Sequence, residues 1–282
     1  MDNKPVLIYK NIGETPLEAI DRLRKKRPDF GVLPMTYAGR LDPLAEGLLL
    51  VLVGDDCNKK DEYLGLSKEY EMEILFGFQT DTYDLLGLLE NEVNERKYVV
   101  PGSLAQTDEA SRAKIQQDFM CADGNNILSE FKVSSIKKIL LNFIGDISQE
   151  YPPYSSKTVN GKPLWQWARD GKLDEIEIPK HIVNIADIKV IEEKTISKDY
   201  LGQYIEKIIP IVLGDFRQDE ILAKWKEVLK SNPNTEFQTV KIKVSCGSGA
   251  YMRVLANDMG KALNLSALAF HIKRTKIGDY SI

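Results

Sequence analysis

The sequence agrees with an α/β fold, since strand-like and helix-like segments alternate along the chain, but this alternation alone does not identify the fold. Three observations indicate the alternation: an aliphatic run at Leu48–Val53, a strictly alternating segment at Lys68–Gly77, and helix-start signals at Thr15. The first two are typical of strands and the third is typical of a helix. With 282 residues and 43% hydrophobic content, the chain can bury one large or two modest cores.

The first predicted helix has Thr15 as its N-cap. Pro16 suits the first helical position, and Glu18 completes a capping box with Thr15. The predicted apolar stripe of this helix consists of Leu17, Ile20 and Leu23. We therefore expect a helix with one face on the core.

A carboxylate stands in the turn before the aliphatic run. Asp42 lies between Gly39 and Pro43, and Leu48–Val53 is too short to cross a membrane but suits a central strand. A turn anchored by a core strand gives the rigid support that a catalytic carboxylate needs. The alternative is that Asp42 is only a turn residue, since Asp favours turns by bonding its own backbone.

The alternating segment predicts a half-buried strand. Its apolar face carries Tyr70, Met72, Ile74 and Phe76, and its acidic face carries Glu69, Glu71 and Glu73. Tyr70 therefore points into the protein. By pattern alone, Tyr70 is more often a core aromatic than a functional group.

A strand, a glycine turn and a helix follow one another near the end of the chain. The predicted strand face carries Val240, Ile242, Val244 and Cys246, and the predicted helix face carries Met252, Leu255, Met259 and Leu263. Gly247 and Gly249 form the turn. Arg253 falls in the first helical turn, where the macrodipole disfavours a cation and favours an anionic partner for it. The alternative is a solvent-facing arginine.

Cations and aromatic rings are interleaved around residues 149–172. The cations are Lys157, Lys162, Arg169 and Lys172, and the aromatic residues include Tyr154, Trp165 and Trp167. Because cations bind phosphates and aromatic rings stack on unpaired bases, this segment is predicted to grip RNA. The alternative is a solvated loop followed by an amphipathic helix with core tryptophans.

Composition restricts the class of protein. The net charge of −4 is unusual for a nucleic-acid binder, although basic clusters lie at Arg22–Arg27, Lys157–Lys172 and Lys273–Lys276. The three cysteines form no spaced framework, and the two histidines offer no metal-ligand spacing. We find no phosphate-binding glycine loop, signal peptide or transmembrane run. We therefore expect no metal, no cofactor, no membrane association and a cytoplasmic location.

Two regions are predicted to be insertions or adaptable loops. Asn91–Asn126 is polar and weakly periodic, and it carries no motif. Gln203–Glu236 predicts a charged amphipathic helix. Its apolar side carries Leu222, Trp225 and Leu229.

The turn around Asp42 resembles the motif G-H-x-G-T-L-D-P-x-A-x-G of the TruB family of tRNA pseudouridine synthases. The agreeing positions are Gly39, Leu41, Asp42, Pro43, Ala45 and Gly47. Tyr37 stands where that family has His, and Arg40 stands where it has Thr. The run from Gly39 to Asp42 also resembles related synthases that act on ribosomal RNA.

Further blocks resemble the same family. Lys10–Thr15 is similar to K-P-x-G-x-T/S, and Tyr70–Gly87 is similar to the family's Tyr strand followed by T-D-T-x-D-x-x-G. Gln149–Gly171 resembles the Q-x-P-P-x-Y-S-A block, except that the family's Lys falls beside Lys157. Cys246–Gly260 resembles C-S-K/S-G-T-Y-I-R-x-L-A-x-D-L-G. The last block, residues 271–280, resembles L-x-R-T-x-x-G-x-F.

The resemblance implies a pseudouridine synthase catalytic fold over residues 1–282, with a mixed, largely antiparallel central sheet flanked by helices. It implies that Asp42 is the catalytic carboxylate, partnered by Arg253, and that Tyr70 stacks on the target base. Tyr251 and Ile272 would complete the pocket. The implied RNA contacts are Tyr37, Arg40, Lys157, Lys162, Arg169 and Lys172.

The implied reaction converts the T-loop uridine of tRNA to pseudouridine. It breaks the N1–C1′ bond, turns the base and rejoins it through C5, so no redox or group-carrying cofactor is needed. The chain stops soon after the last block, so we expect no C-terminal RNA-binding PUA domain, recognition of the tRNA T-arm, and a monomer.

Two other functions stay open. A ribosomal RNA pseudouridine synthase is favoured by Tyr37 and Arg40 and disfavoured by the other blocks. A non-catalytic RNA-binding or RNA-folding protein could keep the same fold. The intact set of Asp42, Tyr70 and Arg253 argues against it.

Overall fold

The computed structural model describes residues 5–90, 133–263 and 265–282. The predicted insertion at Asn91–Asn126 lies outside these residues. Within them, strands and helices alternate around one nine-stranded sheet, which confirms the predicted α/β class. No helix in this part of the chain is long and apolar enough to cross a membrane.

The elements are numbered here in chain order. The strands are β1 (Val6–Lys10), β2 (Met35–Ala38), β3 (Ala45–Val53), β4 (Lys68–Phe76), β5 (Gly145–Glu150), β6 (Thr158–Val159), β7 (Lys162–Pro163), β8 (Lys180–Ser197), β9 (Glu236–Cys246), β10 (Ala267–Ile277) and β11 (Tyr280–Ser281). The α-helices are α1 (Pro16–Lys26), α2 (Lys60–Leu64), α3 (Val133–Leu140), α4 (Leu164–Arg169), α5 (Lys198–Ile208), α6 (Gln218–Ser231) and α7 (Met252–Ala262).

The sheet has the strand order β1-β3-β10-β4-β9-β8-β5, with β2 paired to β3 and β11 paired to β10. Neighbours along this order are antiparallel except β3 and β10, which run parallel. The predicted mixed, largely antiparallel sheet is therefore confirmed. In the parallel pair Ala45 lies opposite Ile272, which brings the turn before β3 next to β10.

Helices pack on both faces of the sheet. The predicted apolar face of β4 is confirmed, since Tyr70, Met72, Ile74 and Phe76 share one core cluster with residues of α3 and α7. Leu75 points the other way and belongs to a second cluster with residues of α5 and α6. The predicted buried face of α7 is also confirmed, because Met252, Leu255, Met259 and Leu263 are all buried.

The start of α1 forms as predicted, but its buried face is shifted. The Thr15 side chain accepts from the Glu18 amide, and the Glu18 carboxylate accepts from the Thr15 amide, so the capping box is present. Leu17 was predicted in the apolar stripe, which is wrong, because it is 64% exposed. The buried stripe consists of Pro16, Ala19, Ile20 and Leu23. Its i, i+3, i+4, i+7 spacing leaves Leu17 on the solvent side.

The region 203–236 holds more than the one helix predicted. It contains the end of α5, a connecting loop and all of α6. Trp225 and Leu229 are buried as predicted, and Leu222 packs at the edge of the same cluster. The ring of Trp225 lies 5.0 Å from that of Phe78, which follows β4. This helical pair therefore covers the second face of the sheet.

Candidate active site

A cleft of about 560 Å³ opens where the turn before β3, the start of β4 and the start of α7 meet. All the residues predicted for the catalytic carboxylate and its pocket line this cleft: Asp42, Tyr70, Tyr251, Arg253 and Ile272. They come from four separate stretches of the sequence. The sheet order brings them together, because β4 and β3 both flank β10.

Asp42 and Arg253 form a two-point ion pair at the cleft floor. Arg253 Nε lies 2.7 Å from Asp42 Oδ2, and Arg253 Nη2 lies 3.3 Å from Asp42 Oδ1. The Arg253 side chain is 4% exposed, whereas that of Asp42 is 28% exposed. The guanidinium also donates to the carbonyls of Thr82 (2.7 Å) and Tyr154 (3.4 Å). The carboxylate is therefore fixed from behind and open to the cleft in front.

Two buried cations hold the turn that carries Asp42. Lys10 Nζ donates to the carbonyls of Pro43 (3.2 Å) and Ala45 (2.5 Å), and burial lowers the Lys10 pKa to about 8. Arg274 donates to the carbonyls of Leu48 (2.8 Å) and Gly39 (3.1 Å). Three of these four carbonyls, those of Gly39, Pro43 and Ala45, lie within three residues of Asp42. This support is the rigidity predicted for a catalytic turn.

The parallel contact between β3 and β10 requires a glycine at position 47. Gly47 has φ +112°, and a Cβ there would lie 2.3 Å from the carbonyl oxygen of Arg274. Any larger residue would push β10 away from β3. The glycine of the Asp42 motif is therefore explained by the close approach of the two backbones.

A second carboxyl lies behind Arg253. Asp84 Oδ2 is 3.7 Å from Arg253 Nε, and Asp84 Oδ1 accepts from Thr82 Oγ1 (2.7 Å) and from the Leu86 amide (2.9 Å). Burial raises the pKa of Asp84 to about 6, although Arg253 opposes that rise. The guanidinium therefore serves an open carboxylate and a buried one at the same time.

We expect Asp84→Asn to become more stable relative to the wild type as the pH rises from about 4 to about 7. The folded-state pKa of Asp84 is raised from 3.8 to about 6, so in this interval the folded protein keeps a proton that the unfolded chain has released. Ionising Asp84 thus costs the folded state up to about 3 kcal/mol, and asparagine avoids this cost. Urea unfolding of both proteins at several pH values measures the difference. A difference independent of pH would contradict the expectation.

Burial and side-chain contacts hold the aromatic residues of the cleft in place. Tyr70 is buried at 8% exposure, and burial raises its pKa. Tyr251 precedes α7, and its amide and carbonyl both bond to the Gln149 side chain, at 3.0 and 3.3 Å. Ile272 is 6% exposed beside Ala45. These three side chains give the cleft an apolar surface around the open carboxylate.

The cations predicted to bind RNA are distributed around the mouth of the cleft and beyond it. Arg40 and Arg169 line the cleft, with Arg40 donating to Ser156 Oγ at 2.7 Å. Lys157 lies 4.9 Å above the Tyr151 ring. Ion pairs within the protein engage Lys162 with Asp170, Arg169 with Asp215, and Lys172 with Glu175. Lys157 and Arg40 thus carry charge that no described ion pair offsets.

Tyr37 does not reach the cleft. It lies on β2 opposite Val51, toward the far end of β3 from the Asp42 turn, with Lys60 5.7 Å from its ring. A contact with RNA at this position would therefore be separate from the pocket. As for metals, the described residues contain no group of three or more His, Cys, Asp or Glu arranged to hold an ion.

Comparison with known families agrees with this geometry. The family model described as "TruB family pseudouridylate synthase (N terminal domain)" matches residues 27–121 and 93–201, which together make up more than half of the chain. The chain belongs to the TruB family. Three of the family's motif blocks, around Asp42, Tyr70 and Tyr154, fall inside the matched residues.

Individual TruB-family relatives match almost the whole chain. The "tRNA pseudouridine synthase B" of Ligilactobacillus salivarius is 29% identical over 98% of this chain and 67% of its own length. The proteins of that name from Borreliella afzelii and Staphylococcus aureus are 26% and 29% identical over 100% and 99% of this chain, and 72% and 68% of their own lengths. The chain thus spans about two-thirds of each relative.

Among solved structures, a Cbf5-Nop10-Gar1 complex is similar with a TM-score of 0.49 and 15% identity. The similarity covers 98% of this chain and 49% of that chain. A structure described as an H/ACA RNP bound to a substrate RNA containing 2'-deoxyuridine has a TM-score of 0.46 and 14% identity, over 98% of this chain and 48% of that chain.

Sequence reasoning missed several residues of this TruB-family cleft. Asp84 and Lys10 lie inside motif blocks but were not recognised as supports of the site. Asp215 and Arg217 lie in the region interpreted as an insertion, yet both line the cleft. No sequence signal selects Arg217, because the region 203–236 carries no motif.

Proposed function

We propose that this protein is a tRNA pseudouridine synthase that isomerises the T-loop uridine, position 55 of tRNA, with Asp42 as the catalytic carboxylate. The observation that carries the proposal is the geometry and exposure of the Asp42 carboxylate. The carboxylate is held at two points by the buried Arg253 guanidinium and is still 28% exposed to a cleft lined by Tyr70 and Tyr251. A guanidinium that bonds both carboxylate oxygens fixes the orientation of the carboxylate toward the cleft.

The chemistry requires one well-placed carboxylate. The N1–C1′ bond breaks, the uracil turns while it is held, and a C5–C1′ bond forms. The C5 proton is then released, and N1 ends as an N–H. Asp42 serves either by adding to C1′ as a nucleophile or by removing a proton from C2′ as a base. Both routes use the same open carboxylate and return it unchanged.

The walls of the cleft suit a flipped base. The target uridine lies within a folded loop, so it must leave its stack to reach Asp42. In our proposal the Tyr70 ring stacks on the uracil, and Ile272 and Tyr251 border it. A largely apolar pocket holds the detached uracil during its rotation and keeps water from the reacting C1′.

A tRNA substrate is supported by the names of the relatives, each a "tRNA pseudouridine synthase B". The exposed Arg40, which lines the cleft, and the exposed Lys157, next to the lining residue Ser156, suit contact with the phosphates of the T-arm. A tRNA substrate implies that the protein acts in the cytoplasm. We propose recognition of the T-arm itself, by a monomer.

The test is release of tritium from C5-labelled uridine in an unmodified tRNA transcript, which reports C5 proton loss directly. We expect release from the full transcript and from an isolated T-arm stem-loop, and none when the T-loop uridine is replaced by cytidine. Release from ribosomal RNA alone would favour the alternative function, a ribosomal RNA pseudouridine synthase, which Tyr37 and Arg40 also favour. No release from either RNA would favour a binding protein.

A further inference from the structure

The loop between α5 and α6 extends into the cleft. Arg217 donates to both carboxylate oxygens of Asp81, with Nη1–Oδ2 2.7 Å and Nη2–Oδ1 3.2 Å. The guanidinium carbon lies 4.7 Å from the centre of the Tyr154 ring. The Arg217 side chain is 19% exposed and that of Asp81 is 27% exposed, so this pair is partly shielded from water. One arginine thus joins the loop to two other segments of the cleft.

Both of these segments hold Arg253. The carbonyl of Thr82, the residue after Asp81, accepts from Arg253 Nη1 at 2.7 Å. The carbonyl of Tyr154 accepts from Arg253 Nη2 at 3.4 Å. Arg217 therefore contacts both backbone segments, at Asp81 and at Tyr154, that supply the carbonyl partners of Arg253. A shift of either segment would be transmitted to the Arg253 guanidinium, and from it to Asp42.

The loop is itself held firmly. Arg217 has φ +65°, in the left-handed region that non-glycine residues occupy where surrounding contacts determine the backbone. The Gln218 side chain donates to the carbonyls of Val212 (2.9 Å) and Gly214 (2.7 Å). Asp215 adds a 2.7 Å ion pair with Arg169. The guanidinium of Arg217 is thus presented to Asp81 and Tyr154 from a fixed support.

We propose that Arg217 is a positioning residue of the active site, which fixes the Thr82 and Tyr154 carbonyls and thereby the orientation of Arg253 and Asp42. The proposal rests on the proposed pseudouridine synthase activity. Because the guanidinium is already engaged by a carboxylate and an aromatic ring, Arg217 acts on the rate of the chemical step and leaves RNA affinity unchanged.

The kinetic test is Arg217→Gln, which keeps a polar side chain and removes the charged fork. We expect kcat to fall by about 10- to 100-fold with KM unchanged, because a small misplacement of reacting groups has effects of this size. The kcat of Arg217→Lys should lie between those of the wild type and Arg217→Gln, since lysine keeps the positive charge but cannot bond both oxygens of Asp81 as the guanidinium does. The matched control is Lys224→Gln. It removes a 3.2 Å ion pair with Glu227 within α6, the helix that follows Arg217, and should leave kcat unchanged. A raised KM with unchanged kcat would mean direct RNA contact and would overturn the proposal.

A second readout does not depend on activity. The Leu88 amide donates to Asp81 Oδ1 at 2.9 Å, and the Trp165 amide donates to the Ser155 carbonyl at 3.1 Å. Both amides should exchange hydrogen faster in Arg217→Gln than in wild type or Lys224→Gln. Unchanged exchange would overturn the positioning role, and so would faster exchange with unchanged kcat. A wild-type protein that releases no tritium from any RNA would instead overturn the proposed function.

Asp81→Asn removes the same ion pair by changing the carboxylate partner of Arg217. It keeps the proposal testable if Arg217→Gln does not fold. Its side-chain oxygen can still accept from the Leu88 amide, so the turn keeps that bond. We expect Asp81→Asn to lower kcat as Arg217→Gln does, and the double variant to be no slower than either single one. Additive losses would show that the two residues act separately and would count against the proposal.

Discussion

Asp42→Asn is expected to lower kcat by at least about 10⁴-fold while RNA binding stays nearly unchanged. Asparagine has the shape of aspartate and can still accept a hydrogen bond from Arg253, but it is neither a nucleophile toward C1′ nor a base toward C2′. Tritium release with enzyme in excess over labelled tRNA measures the chemical step, and filter binding measures RNA affinity. Asp55→Asn, which changes an exposed carboxylate outside the cleft, is the matched control.

The outcome also decides between the two interpretations of Asp42 in the sequence. A catalytic carboxylate predicts lost turnover with retained binding. A turn residue predicts a weaker turn, which would reduce stability, RNA binding and turnover together. Turnover retained at the wild-type level would contradict the proposed mechanism, whichever route Asp42 takes. The structure makes the first outcome the expected one, because the turn is already held by Lys10 and Arg274 through backbone carbonyls.

The parts of the fold that the sequence predicted well are those with local causes. The capping box at Thr15 needs only residues three positions apart, and the buried face of β4 follows from its two-residue period. The turn between β9 and α7 is marked by Gly247 and Gly249. Each of these features depends on neighbours in sequence, so no knowledge of the sheet order was needed.

The parts that could not be predicted depend on long-range pairing. The sequence places Asp84 in a motif block but does not show its burial, which raises its pKa to about 6 against the opposing effect of Arg253. Arg217 meets Asp81 across 136 positions. Lys10 is a typical surface residue by composition, yet it is fully buried because the turn before β3 folds over it. No periodicity or local spacing carries this information.

Charge patterning was the least reliable guide. The cations of residues 149–172 suggested a free basic surface, but Lys162, Arg169 and Lys172 each meet an acidic side chain in the fold. Exposed pairs of this kind contribute little to stability, so they do not decide whether these cations bind RNA. Their prediction as RNA contacts therefore stays a prediction, to be tested by the salt dependence of RNA binding in single variants.

The second large effect is expected at Arg253. Arg253→Leu should destabilise the protein by about 3–5 kcal/mol and abolish turnover, because it removes the cation that lies between Asp42 and Asp84. The guanidinium lies 2.7 Å from Asp42 and 3.7 Å from Asp84, and it donates to two backbone carbonyls. The two carboxylates would lose their ion-pair partner and the two carbonyls would lose a charged donor, and Arg253 itself is buried. Urea unfolding measures the loss, and Arg27→Leu, which breaks an exposed pair with Asp29, should cause little change.

The pH dependence of this loss identifies its cause. Arg253 lowers the pKa of Asp84 against the larger effect of burial, so without Arg253 that pKa rises further above 6. Below about pH 5 Asp84 is protonated in both folded proteins, whereas at about pH 8 only the variant must ionise it without a partner. The destabilisation should therefore be larger at pH 8 than at pH 5. An equal destabilisation at pH 5 and pH 8 would mean that lost packing alone causes it.

Arg253→Lys separates charge from geometry. The ammonium keeps a positive charge beside Asp42 and Asp84, so most of the stability should be retained. A single nitrogen cannot bond both oxygens of Asp42 and the two carbonyls from a planar fork, so kcat should still fall by about 100-fold or more. If Arg253→Lys kept the wild-type kcat, charge alone would orient the carboxylate, and the chain of contacts from Arg217 through Arg253 to Asp42 would have no catalytic role.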